Sequence, residues 1–307
     1  MNLHGSGDWS RWKWDETLFA GAAEHYDRGR LPNAPGLTEA LQRALGLDGC
    51  RGRLLDVGCG PGTVTLPLSD LFQEVIGLDA DADMIRQARR LAAERGVGNA
   101  RWVHDRAEHL PAGLGMFQVV TFAASFHWTD RPRVAAIVRD MLDPDGVIVH
   151  VDNRHQDSLT PDDKLPAPPV ARIDELRRKY LGEDRRAGQG IRNSSPGDEA
   201  AIFRAAGFVG PEVVVVPDGR TIIRSTDDLV AETFSVSATA PHLFGERLSE
   251  FETDLRRVLA QASPDGRFSI RLPDNELKIW RPSGDLPASL RQTPECTYPT
   301  HASASRP

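Results

Sequence analysis

Arg53-Leu54-Leu55-Asp56-Val57-Gly58-Cys59-Gly60-Pro61-Gly62-Thr63 decides the reading of this chain. Its apolar opening reads as a buried strand, and the strand breaks into glycines at alternate positions. From Val64 the apolar residues recur at roughly helical spacing (Leu66, Leu68, Leu71, Phe72). Strand, glycine turn and helix form the first half of a nucleotide-binding unit. The glycines let the backbone turn sharply and approach a ligand where a Cβ would intrude.

Glycine spacing narrows the ligand. A dinucleotide turn of the form G-x-G-x-x-G needs a glycine at position 63, which is Thr63. A phosphate-cradling P-loop needs Gly-Lys-Ser/Thr, and no lysine is near. The stretch Glu74-Val75-Ile76-Gly77-Leu78-Asp79 then reads as a second strand ending on an acid, where nucleotide-binding units hold ribose hydroxyls. Gly77 is expected to bring that strand end close to a ligand. Asp81 is the expected N-cap of the next helix.

Asp-x-Gly-x-Gly-x-Gly resembles motif I of the class I S-adenosylmethionine (SAM) dependent methyltransferases. The resemblance implies SAM as cofactor. It implies contacts from Asp56, Gly58, Cys59, Gly60 and Gly62, then from Asp79, Ala80 and Met84. After the third strand (Ala100–Asp105) the family has Gly-Asp-Ala-x-x-Leu-Pro with its acid near the adenine amine. This chain has Asp105-Arg106-Ala107-Glu108-His109-Leu110-Pro111, so Asp105 or the backbone at Arg106 and Ala107 is expected to hold adenine. Upstream, Tyr26-Asp27-Arg28-Gly29-Arg30-Leu31-Pro32 is similar to a segment that folds over SAM, which implies Tyr26 and Arg30 as contacts. After the fourth strand (117–122), Ala123-Ala124-Ser125-Phe126-His127-Trp128 looks like a small-molecule branch that includes trans-aconitate methyltransferase-like proteins. Ala123 and Ser125 are implied cofactor contacts, and His127 is the candidate base because histidine titrates near neutrality. Its alternative is to pack the floor beside Trp128.

The expected fold is α/β: a doubly wound, mainly parallel seven-stranded sheet, Rossmann-like as in class I methyltransferases, with helical cap insertions. The expected segments are an N-terminal cap at 1–36, the methyltransferase domain at 37–282 and a disordered tail at 283–307. Helices are expected at 16–29, 37–47, 170–182, 197–207, 226–236 and 245–262. The sixth and seventh strands are assigned to 212–217 and 267–281, and the insertions to 156–195 and 220–264. Tyr180, Phe234, Leu243 and Phe244 are expected to line an acceptor pocket under these insertions, with Arg185 and Arg186 as candidate carboxylate holders. Trp9, Trp12 and Trp14 are expected to pack on the domain.

Composition excludes several classes. A net charge of −7 over 307 residues opposes sequence-independent nucleic-acid binding, and no basic stripe exists for a phosphate backbone. Three cysteines (Cys50, Cys59, Cys296) make no disulfide framework and point to a reducing cytoplasm. No apolar run is long enough to span a membrane. His150, Asp152, His155 and Asp157 do not have the spacing of a metal site. The expected activity is O- or C-methylation of a small organic molecule by a monomer or homodimer. The alternatives are a nicotinamide oxidoreductase, disfavoured by Thr63, and a SAM binder without methyl transfer, as in a cyclase or regulatory protein.

Overall fold

Leu54 and Leu55 point to opposite sides of one strand, and both are fully buried. That double burial is the mark of a central strand in a sheet covered on both faces. A computed structural model describes residues 15–47, 52–154, 165–184, 186–187, 190–191 and 198–284. The N-terminal segment carries α1 (Ala23–Gly29) and α2 (Leu37–Leu45). There follow β1 (Arg53–Val57), α3 (Thr65–Leu68), β2 (Glu74–Asp79), α4 (Ala82–Glu94), β3 (Ala100–His104), β4 (Phe117–Ala123), α5 (Arg131–Asp140) and β5 (Leu142–Asn153). The second half holds α6 (Val170–Leu181), the short pair β6 (Arg186–Ala187) and β7 (Gly190–Ile191), α7 (Glu199–Ala205) and β8 (Phe208–Val216). It closes with β9 (Thr221–Ser225), α8 (Thr226–Phe234), α9 (Leu248–Ala262), β10 (Arg267–Arg271) and β11 (Asn275–Pro282).

The main sheet has seven strands in the order β3-β2-β1-β4-β5-β11-β8. β1 to β5 are parallel, and β11 is antiparallel to both neighbours. The order reverses between β1 and β4, so ligands belong at the carboxyl ends of those strands. One face buries Leu55, Ile76, Val120 and Ile148 against Val134, Val138 and Phe203 of α5 and α7. The other buries Leu54, Val75, Val119 and Val149 against Leu37 and Leu41 of α2 and Leu68 of α3.

Four expectations change. The helix after the glycine turn is a single α-turn followed by a 3-10 turn at Ser69–Leu71. Ser69 Oγ donates back to the Leu66 carbonyl at 2.8 Å, a local bond that competes with helix continuation. Residues 16–22 form turns, not the start of a helix, and α1 begins only at Ala23. The stretch assigned as one seventh strand is two strands in different sheets. β11 joins the main sheet, whereas β10 pairs with β9 in a separate antiparallel ladder. Finally, the cap has its own core, in which Leu176, Leu229, Phe234, Phe244, Phe251, Leu259 and Phe268 cluster, so the cap runs past 264. Trp9, Trp12 and Trp14 lie outside the described residues, as do Cys50, Cys296, Arg185 and nearly all of the expected tail. Among the described residues no helix is long and apolar enough to cross a membrane.

Candidate functional site

A cleft opens at the switch point, enclosing about 780 Å³ out to its mouth. Its floor is Val57, Gly58 and Gly60 from the turn after β1, with Leu78, Asp79 and Ala80 from the end of β2. Met84, Arg106, Ala107, Ala123 and Ser125 complete the walls, and Tyr26 stands over the glycine turn. All but Val57 and Leu78 were expected at the cofactor.

Asp79 ties the floor together. Its Oδ2 accepts the Gly60 N–H at 2.8 Å, and its Oδ1 accepts the Asp81 N–H at 2.9 Å. Burial pushes its carboxyl up to about 6 against those backbone bonds, which favour the charge. Asp81 caps α4 through the Asp83 and Met84 N–H groups, as expected. Gly58 has φ +69°, and a Cβ there would lie 2.5 Å from Cβ of Ser125. Ser125 Oγ in turn donates to the Val57 carbonyl and holds the two strand ends together.

Seven expected residues do not line the cleft. Asp56 is fully buried below it, where Oδ1 accepts from Thr121 Oγ1 at 2.8 Å and Oδ2 from Thr65 Oγ1 at 2.6 Å. It fixes the turn to β4 and α3. Cys59 is buried, and Gly62 faces the Trp102 ring and Leu66. Gly77 owes its missing side chain to Trp102 too, because a Cβ would lie 2.5 Å from that ring, so the expected ligand approach there is corrected to packing. Arg30 turns away: Nη2 donates to the Ser235 carbonyl at 2.8 Å, while its guanidinium sits 4.7 Å from the centre of the Tyr26 ring. Asp105 accepts from the Arg106 N–H and from His109 Nδ1 outside the cleft. Burial opposes its charge, but those bonds outweigh burial and hold its carboxyl below the ordinary range.

The seventh is His127, on the 3-10 turn Phe126–Trp128. The imidazole stands beside the cleft wall, 4.8 Å from the Trp128 ring. Burial lowers its affinity for a proton, Asp152 raises it and Arg131 lowers it further. Asp152 is held by Lys278 Nζ at 3.0 Å. His150 lies buried among Phe122, Phe126 and Phe203, with burial holding it down at about 4.

The sequence reading expected an N-terminal cap but, beyond Tyr26, did not name the residues of it that reach the cleft. Glu16, Leu18 and Phe19 line the cleft, and Phe19 meets Trp128 edge-on at 5.5 Å. Only the apolar Leu18-Phe19 pair signalled them, and that pair was absorbed into a helix. Glu108, Trp128 and Thr129 also line the cleft. Glu108 Oε1 accepts the Asp130 N–H at 2.8 Å, and its Oε2 lies 3.4 Å from Arg106 Nε, so it joins the wall at Arg106 to the start of α5. The expected acceptor lining is corrected: Phe244 stacks on Phe251 at 4.0 Å, and Phe234 and Tyr180 pack on the same rings. These side chains build the cap core. Among the described residues no three His, Cys, Asp or Glu gather as a metal site, and His155 and Asp157 lie outside those residues.

Residues 54–146 match a protein family described as a methyltransferase domain. The uncharacterized methyltransferase YcgJ of Bacillus subtilis is 35% identical over 142 residues, covering 45% of this chain and 55% of that protein. Its crystal structure superposes with a TM-score of 0.46 at 21% identity, covering 80% of this chain and 98% of that one. The nocamycin O-methyltransferase of Saccharothrix syringae is 40% identical over 101 residues, 31% of this chain and 35% of the relative. A 23S rRNA (uracil(1939)-C(5))-methyltransferase, RlmD of Shewanella, is 46% identical over 52 residues, 17% of this chain and 12% of the relative. The chain thus spans about half the length of YcgJ or less of the others. Over residues 54–146 the chain is similar to a methyltransferase domain.

Proposed function

We propose that the whole chain is a SAM-dependent methyltransferase that methylates a small organic molecule at oxygen or carbon. The observation that carries the cofactor assignment is Asp79, a half-buried carboxylate that lines the cleft and is bonded to the glycine turn. The cleft suits a nucleoside: an acceptor for ribose hydroxyls at Asp79, apolar walls at Leu78, Met84 and Ala107 for a flat base, and a turn free of side chains at Gly58 and Gly60. SAM supplies a methyl group on a sulfonium, which leaves without covalent help from the protein. The chain's own contribution is positioning and the exclusion of water by the lid. Tyr26, Leu18 and Phe19 provide that cover.

A small acceptor is favoured by the covered cleft and by the net charge of −7. The likeness to a nocamycin O-methyltransferase supports the same reading, and the likeness to an rRNA enzyme spans only 17% of this chain. In this reading His127 takes the proton of a hydroxyl or acidic carbon, and the cysteine usage points to the cytoplasm. The test is a methyl-release assay with small acids, phenols and alcohols beside tRNA and DNA. Turnover of a small molecule is expected, with a ~10²–10⁴-fold lower kcat for His127→Asn. Methylation of nucleic acid alone would overturn the reading.

A further inference from the structure

The charges around the cleft are one-sided. Glu16, Asp79, Asp81 and Glu108 bring carboxylates to its lining, and Arg106 is the one cation among the described lining residues. That cation is already answered, since Arg106 Nε lies 3.4 Å from Glu108 Oε2. Two of the acids have work at the floor: Asp79 holds the Gly60 amide, and Asp81 caps α4. Glu16 has no such task. It is exposed on the turn before Leu18, and no hydrogen bond or ion pair joins it to another described residue. Next to it in the chain the lining turns apolar and aromatic. Leu18 is buried, and Phe19 meets Trp128 edge-on at 5.5 Å.

We propose that the acceptor binds where Glu16, Leu18, Phe19 and Trp128 wall the cleft. It is a flat, largely apolar molecule that carries a protonated amine and no carboxylate, and Glu16 is the residue that reads this charge. This deepens and rests on the small-molecule reading, and it needs no proton taken by His127. In that reading the cofactor occupies the glycine turn, Asp79 and the walls at Met84 and Ala107, so the lid side remains for a second molecule. A carboxylate there would meet Glu16 and find no unpaired guanidinium among the described lining residues. Taking it out of water without a partner is costly. An ammonium gains twice: it pairs with the Glu16 carboxylate, and an indole attracts a cation to its face. Water screens the exposed Glu16, so the residue selects among acceptors while the aromatic pair supplies the contact area.

The test is calorimetry on the full chain saturated with S-adenosylhomocysteine, using probes that share one phenol ring: tyramine, para-ethylphenol and para-hydroxyphenylpropionate. Tyramine should bind best and the propionate worst. Glu16→Gln should cut the preference for tyramine over the propionate by about three- to tenfold, the share that one exposed charge supplies. Glu16→Lys should carry the preference further toward the acid. Both variants should melt like the parent, because Glu16 is exposed and bonded to no described residue. Trp128→Leu should weaken all the probes, because their shared ring loses its flat partner. Propionate binding as tight as tyramine in the parent, or no binding of any probe, would overturn the assignment. So would a preference that both Glu16 variants leave intact. Failure of the small-molecule reading itself is seen in a different measurement, as methylation of nucleic acid alone in the methyl-release assay.

Discussion

The Gly60 amide donates to Asp79 Oδ2 at 2.8 Å, joining the glycine turn to the end of β2. Both residues line the cleft, and each carboxylate oxygen keeps a further lone pair for a donor. Asp79 sits at about 6, raised by burial, against an unfolded value near 4. The native state therefore binds more protons than the unfolded state between about pH 4 and 6. The contribution of this group to stability falls as pH rises through that window. Ligand binding runs the other way, because ribose hydroxyls donate most strongly to the ionised carboxylate. S-adenosylhomocysteine affinity should fall by roughly tenfold per unit below pH 6 and level off above it. Calorimetry across pH 5 to 8 checks this. Asp79→Asn should flatten the profile and weaken binding about ten- to a hundredfold at neutral pH.

Gly58 is the position in the turn least able to take a side chain. Gly58→Ala combines a positive φ of 69° with a contact to Ser125 Cβ at 2.5 Å. Ser125 is buried and bonded to Val57, so it has no free direction in which to retreat. A loss of about 1–3 kcal/mol is expected from backbone strain and overpacking. Chemical denaturation measures it. The displaced Ser125 should also weaken cofactor binding, and an unchanged affinity would show that the wall tolerates the shift.

The lid is packed on the cap through Gly29. A Cβ on Gly29 would meet the Ala231 carbonyl oxygen at 2.5 Å, so α1 lies directly against the backbone of α8. Arg224 Nη2, from β9, donates to the Arg28 and Gly29 carbonyls at 3.0 Å. Gly29→Ala should therefore prise α1 from the cap, although the residue does not line the cleft. Tyr26 and Phe19 shift with it. The expected result is weaker S-adenosylhomocysteine binding with faster dissociation, read by stopped-flow fluorescence. Unaltered dissociation would separate the lid from the cap.

The parallel half of the sheet was legible because β1, β2, β4 and β5 are largely buried on both faces and read as near-continuous apolar runs. Asp79 was legible because a doubly wound unit puts an acid there. Asp56 was misread because its role depends on Thr121, 65 positions away, which no local pattern reveals. The join between β10 and β11 was missed for a similar reason. Phe268-Ser269-Ile270 and Leu277-Lys278-Ile279 alternate alike, yet pairing sends one to β9 and the other to β5 and β8. The aromatic residues of the cap were correctly seen as apolar, but sequence alone does not tell a pocket wall from a core.

That core supplies the last prediction. Phe251 on α9 is fully buried, stacked on Phe244 at 4.0 Å and packed against Phe234 at 5.9 Å. Phe251→Ala removes the ring that all three neighbouring cap elements share, and a loss of ~3–5 kcal/mol is expected from lost burial plus the cavity left behind. The damage should spread to the cleft. Arg28 Nε bonds Asp228 Oδ1 on α8 at 2.7 Å, and Arg30 bonds the Ser235 carbonyl just after that helix. A loosened α8 thus releases the segment that carries Tyr26. Calorimetric melting should show the stability loss, and S-adenosylhomocysteine should bind more weakly below the melting point. A variant that loses stability yet binds the cofactor analogue like the parent would show that the lid closes without support from the cap.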